Sequence, residues 1–137
     1  MTADIFELFE LIGYRDATGG DDEAVVELPV APHVVNTNGG LQGGLLATLV
    51  DTAAGKLAMR RLPPGYSVVT SDLNLRYLRA VTEGAARAVA RIVHSGKRSM
   101  VVQVDIFSVP DDALAVIATV SFAMIRRPTS NSQEVTP

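Results

Sequence analysis

The chain has no cysteine and no tryptophan, and only 5% of its residues are aromatic. Without cysteine there can be no disulfide, no thiolate zinc site and no cysteine nucleophile. With so few aromatics, the core must be built from Val, Leu, Ile and Ala. An excess of one charge is also lacking. Twelve Lys and Arg stand against fifteen Asp and Glu, for a net charge of −3. The basic surplus of a nucleic-acid-binding protein is therefore missing, although a few local cations can still hold a small anion. Unbroken apolar runs of membrane-spanning length are absent. The opening residues MTADIFELFELIGY carry Asp4, Glu7 and Glu10 and no basic residue, unlike a secretory signal. The expectation is a cytoplasmic protein with no nucleic-acid or membrane partner.

What is present fits one domain. The chain has 137 residues, 47% of them hydrophobic, which suits a single core. That domain is expected over residues 1–127. The tail 128–137 (PTSNSQEVTP) has no core residues to spare and is expected to be disordered.

Ile5, Leu8, Phe9 and Ile12 recur at helical spacing with acids between them, predicting a short amphipathic helix over 3–13. Gly19, Gly20, Asp21 and Asp22 mark a turn. Residues 23–31 read as a strand weakened by Pro29, and 32–41 as a loop rich in Asn and Gly. Residues 42–61 (QGGLLATLVDTAAGKLAMRR) form the one long helical candidate, apolar or small nearly all round and so expected to be buried. Leu62, Pro63, Pro64 and Gly65 stop it.

The remainder reads as strands over 67–78, 84–94, 98–108 and 113–125. In the first, Val69, Leu73, Leu75 and Tyr77 alternate with Thr70, Asp72, Asn74 and Arg76; in the third, Met100, Val102, Val104 and Ile106 share a face. Consecutive strands with short turns pair antiparallel, and one apolar helix needs a sheet to cover it. The fold class is α+β. An antiparallel sheet curled around one long central helix, the hot-dog architecture, is the economical solution. An α+β domain with a helix on one sheet face is the alternative.

No G-x-S-x-G, H-E-x-x-H or Walker-type phosphate loop occurs, and no metal site is expected. Gly39, Gly40, Gly43 and Gly44 lead into the long helix. The first amides of a helix lack intrahelical partners and carry the positive end of the dipole. Gly43 and Gly44 would let a ligand approach them closely and would stabilise a developing oxyanion. The same glycines also serve a tight turn or close packing. Asp51, flanked by Leu49, Val50, Ala53 and Ala54, is costly to bury unless paired or functional. It suits a general base or nucleophile, or an ion pair with Lys56.

Gly43 and Asp51 are eight residues apart, about 12 Å along one helix. They can share a reacting carbonyl only if Asp51 comes from a second chain across a two-fold axis. His33 and His94 have no chemical partner fixed by spacing. Arg76, Arg79, Lys97 and Arg98 fit a solvated surface, and the turn Ser95-Gly96-Lys97-Arg98 also suits a phosphate.

Residues 33–55 (HVVNTNGGLQGGLLATLVDTAAG) resemble the PaaI-like, phenylacetate-type acyl-CoA thioesterases of the hot-dog superfamily. Their pattern is an Asn, a Gly, then His-Gly-Gly opening the central helix and Leu-x-Asp two turns on. Residues 70–79 (TSDLNLRYLR) look like the following strand, and the likeness covers roughly 25–125. It implies that Asn36 and the Gly43 amide hold the thioester carbonyl, that Asp51 of the neighbouring subunit is base or nucleophile, and that Thr70 positions water. It also implies that the 95–98 turn lies near the CoA phosphates, with Gly44 and Arg76 on the substrate. The assembly would be a dimer or tetramer, with CoA as part of the substrate and no separate cofactor. Gln42 stands where many members have His; it hydrogen-bonds but cannot be protonated at working pH. Two other functions fit: acyl-CoA binding without hydrolysis, and a hydratase or dehydratase, which would usually pair a His with the Asp.

Overall fold

The computed structural model describes residues 4–127. The expected tail 128–137 and the expected helix start at residue 3 lie outside the described residues. Helix α1 (Ile5–Ile12) begins at Asp4, whose carboxylate accepts from the Glu7 amide at 2.9 Å, while Glu7 accepts from the Asp4 amide at 3.3 Å. Gly13 ends it at φ 114°, a left-handed angle that glycine adopts without strain. No residue of α1 is fully buried. Phe9 and Ile12 lean on the body, whereas Phe6 and Leu11 stand 74% and 72% exposed.

Six strands follow around helix α2 (Gly43–Arg60): β1 (Arg15–Ala17), β2 (Glu23–Pro29), β3 (Tyr66–Tyr77), β4 (Ala85–Ser95), β5 (Ser99–Val109) and β6 (Ala113–Arg126). They form one antiparallel sheet in the order β1-β2-β4-β5-β6-β3. Helix α2 touches every strand from β2 to β6, so the sheet wraps it in the hot-dog arrangement.

The inward alternation of Met100, Val102, Val104 and Ile106 is as the sequence predicts; all four are fully buried. Beside them lie Ala86, Ala88 and Ala90 of β4, and facing them Ala53, Ala54 and Ala58 of α2, all at 0% exposure. Small side chains on both layers let helix and sheet close together.

Four readings of the pattern are corrected. Strand β1 was not expected; its three residues pair Arg15, Asp16 and Ala17 with Glu27, Val26 and Val25. Strand β3 does not pair with its successor β4 but with β6, at the far edge. The connection over 78–84 crosses three strand spacings, roughly 14 Å, which seven extended residues span easily. It drops Val81 fully into the core and receives the Leu41 amide on the Val81 carbonyl at 2.9 Å. Helix α2 is not covered all round. Leu46, Leu49, Val50, Ala53, Ala54, Leu57 and Ala58 form its buried stripe, while Thr48, Asp51, Thr52, Gly55 and Met59 line an open one.

The last correction concerns facing. Strand β3 bulges between Thr70 and Asp72, and the Ser71 hydroxyl donates to the Ser121 carbonyl at 3.1 Å. Thr70 pairs with Phe122 and Leu73 with Val120, both on the inner face of β6. The extra residue therefore turns Thr70 toward α2, on the same side as Leu73, where simple alternation places it opposite.

Candidate active site

The loop before α2 is built by Asn36. Its Oδ1 accepts from the amides of Asn38 and Gly40 at 2.9 and 3.2 Å, and its own amide donates to the Gly40 carbonyl at 2.8 Å. The side-chain oxygen is thus spent on the turn, and only the Nδ2 donors remain for a ligand. Gln42 then caps α2. Its backbone amide donates to the Val34 carbonyl at 2.9 Å, and its Oε1 accepts from the Leu45 amide at 2.8 Å. Because a backbone amide only donates, the free end of Gln42 is its NH₂ group.

The Leu45 and Leu46 amides are satisfied by the Gln42 carbonyl. The amides of Gly43 and Gly44 have no acceptor among the described residues. Gly43 has no left-handed φ, and a β-carbon there would meet only the Tyr77 ring, at an ordinary 3.5 Å. Neither backbone conformation nor packing within the chain calls for glycine at 43. What glycine leaves at 43 is free approach to the amide. Gly44 differs: a β-carbon would stand 3.0 Å from Gln42 Oε1 and disturb the cap.

Two residues beyond the motif brace this helix start. The Tyr77 hydroxyl donates to the Gly43 carbonyl, and the Tyr14 hydroxyl to the Leu45 carbonyl, each at 2.6 Å. Burial pushes the Tyr14 phenol up to about 12. Sequence reading placed Tyr77 on the right strand face but gave it no part in a site. Its partner is set by the crossing of β3 to the far edge, which leaves no local signal.

Asp51 lies two turns along, half-exposed on the open stripe. Its Oδ1 accepts from Thr70 Oγ1 at 2.9 Å, and it makes no other hydrogen bond among the described residues. Lys56, the alternative partner, lies 3.0 Å from Asp16 instead. Thr70 gives its one proton to Asp51 and keeps its lone pairs for a water. Asp51 also borders an open groove of about 740 Å³ between α1 and α2.

The structure brings together Gln42, Gly43, Gly44 and Tyr77 at one end of α2, and Asp51 with Thr70 in its middle. It does not bring the two groups together within one chain. Nor does it join the expected substrate cations. The 95–98 turn lies beside Met124, whose amide donates to the Arg98 carbonyl at 2.9 Å, whereas Arg76 pairs with Ile117. That separation is about 23 Å along β6. His33 donates from Nε2 to the carbonyls of Leu11 and Ile12, both at 2.9 Å, and so tethers α1.

Known proteins share this fold. The model of the thioesterase superfamily matches residues 38–115, from the Asn36 loop to the start of β6. The putative esterase ComA2 of Bacillus subtilis is 27% identical over 121 residues, spanning 88% of this chain and 95% of that protein. A Bacillus halodurans protein whose crystal structure holds CoA is 37% identical, with a TM-score of 0.77 over 86% of this chain and 75% of that one. The E. coli PaaI protein, from the phenylacetic acid degradation operon, is 22% identical and shares the fold, with a TM-score of 0.77 over 87% of this chain and 84% of its own.

Proposed function

The chain belongs to the thioesterase superfamily, and from that premise we propose that it hydrolyses acyl-CoA thioesters in a site shared between two subunits. One observation carries the reading. Helix α2 and strand β3 are tied twice, by Asp51 with Thr70 and by Gly43 with Tyr77. A two-fold axis that sets Asp51 beside the partner subunit's Gly43 is centred near residue 47 of α2. The same operator sets Thr70 beside the partner's Tyr77 and is centred near residues 73 and 74 of β3. That strand is the free edge of the sheet, and Val69, Leu73 and Tyr77 on it are 48%, 38% and 50% exposed. A long unpaired edge carrying three exposed apolar side chains invites a second strand. Both ties point to one antiparallel dimer.

In that dimer the thioester oxygen sits on the partner's Gly43 amide, with the NH₂ groups of Gln42 and Asn36 as further donors. Water held by Thr70 gives a proton to the free oxygen of Asp51 and attacks the carbonyl carbon. The tetrahedral oxyanion rests on the helix amide. Collapse breaks the carbon–sulfur bond, and Asp51 returns the proton to the CoA thiolate. Direct attack by Asp51, through an anhydride that water then opens, uses the same groups. Lys97 and Arg98 in the 95–98 turn supply cations for the CoA phosphates, whereas Arg76, about 23 Å away along β6 in the same chain, has no part in that cluster. Gly44 leaves the helix start uncovered beside the bound carbonyl.

The test is Asp51→Asn. The variant should fold, keep its assembly and bind acyl-CoA, with thiol release down by roughly 10²-fold or more. A variant that releases thiol at the normal rate but melts lower would make Asp51 a structural residue and reject the mechanism. Wild-type protein that binds acyl-CoA but releases no thiol from any of a panel would instead make this a binding protein.

A further inference from the structure

We propose that the groove between α1 and α2 receives the acyl group and that Gly55 sets its depth for an apolar chain of medium length. The inference rests on the thioesterase reading for the chemistry at Asp51. The groove, about 740 Å³, starts at Asp51 and is walled by Phe6, Phe9, Val25, Met59 and Phe122. Such a volume is that of a small-molecule site, and its lining is mainly apolar, with Asp16, Thr52, Lys56 and Arg60 as polar members besides Asp51. From Asp51 to Met59 it follows α2 for eight residues, about 12 Å, well beyond the reach of an acetyl group. At its rim Lys56 pairs with Asp16 at 3.0 Å, bounding the apolar floor with charge.

Gly55 supplies a second, independent observation. Glycine weakens a helix interior relative to alanine, so its presence in mid-helix calls for a cause. Its φ is not left-handed, and a β-carbon there would meet nothing within 4 Å. Neither the backbone nor packing within the chain requires it. It lines the groove, and what its missing side chain preserves is space. Phe6, 74% exposed over the same groove, is an aromatic wall that an acyl chain would cover. The occupant is an acyl chain because the groove opens at the carboxylate, where the thioester carbon must lie.

The test compares octanoyl-CoA with acetyl-CoA, by calorimetric binding and by thiol release, on wild type, Gly55→Ala, Gly55→Leu and Phe6→Ala. Wild type should bind octanoyl-CoA at least tenfold tighter than acetyl-CoA. Gly55→Leu should lower the octanoyl-to-acetyl ratio of kcat/KM by tenfold or more, through KM, with Gly55→Ala and Phe6→Ala shifting it less in the same direction. If Gly55→Leu does not fold, the two milder variants decide. An unchanged ratio in folded variants overturns the proposal. So does binding without chain-length preference in wild type, or dissociation of the assembly by Gly55→Leu, which would make this surface an interface between copies. Chain-length-dependent binding that Gly55→Leu removes, with no thiol released by wild type, would reject the thioesterase reading and leave the acyl groove standing.

Discussion

On the outer sheet face, Arg15 and Arg87 grip the Glu27 carboxylate from either side at 3.0 and 2.9 Å. The three residues are direct cross-strand neighbours on β1, β2 and β4. Burial raises the pKa of Glu27, but the hydrogen bonds and charges of Arg87 and Arg15 outweigh it and hold the carboxyl below its ordinary 4.5. The folded chain therefore binds this proton less readily than the unfolded chain. The stabilisation is complete above the unfolded value and is lost as pH falls through the folded one. Glu27→Gln should lower the melting temperature at pH 7, and the gap to wild type should shrink as pH falls below the ordinary 4.5. Melting curves at several pH values check this, and a gap independent of pH would mean that the carboxylate charge contributes nothing. None of this was legible in sequence, because Arg15 lies on a strand of three residues with no periodicity. Asp51 was legible as a carboxylate on an otherwise apolar helix. Its partner was not, since Lys56 is near in sequence and Thr70 is near only in space.

Strand β3 shows how an element can carry the right pattern and still mislead. Leu73, Leu75 and Tyr77 alternate as read, and their inward facing is correct. No glycine announces the bulge at Ser71, so alternation sends Thr70 to the wrong face. Bulges that re-aim a side chain recur beside active sites. Here the bulge joins Thr70 to Asp51, and two variants check its worth. Thr70→Val keeps the shape but loses the hydroxyl. Deletion of Ser71 restores plain alternation and turns Thr70 outward. Both should lose turnover by about tenfold or more, while Thr70→Ser keeps most of it. A deletion variant with full turnover would show that the bulge does not aim the site. The long helix was the most legible element, from Gln42 to the Pro63-Pro64 stop. Its coverage was misjudged, because small residues such as Thr48, Thr52 and Gly55 look like core filling and instead line the open stripe.

At the scale of the whole molecule, the proposed dimer makes a prediction that needs no substrate. Light scattering should give at least twice the 14.5 kDa of one chain at micromolar concentration. Asn74→Lys, placed near the proposed two-fold, sets two like charges against each other across β3. It should shift the assembly toward monomer and abolish thiol release together. A stable wild-type monomer would sink the shared site. The sequence bears on this level through the spacing of Gly43 and Asp51, eight residues apart, and through the family resemblance. The edge position of β3, on which the proposed dimer rests, depends on a crossing that no local pattern encodes. Helix α1, finally, meets the body at its C-terminal end, where His33 holds its last carbonyls and Tyr14 anchors the segment that follows to α2. The Gly43 amide and the Asp51 carboxylate, the reacting groups of the proposed mechanism, lie elsewhere, on α2. In the proposed site, substitutions within Ile5–Ile12 would reshape the acyl groove at Phe6 and Phe9 and leave the reacting groups on α2 untouched.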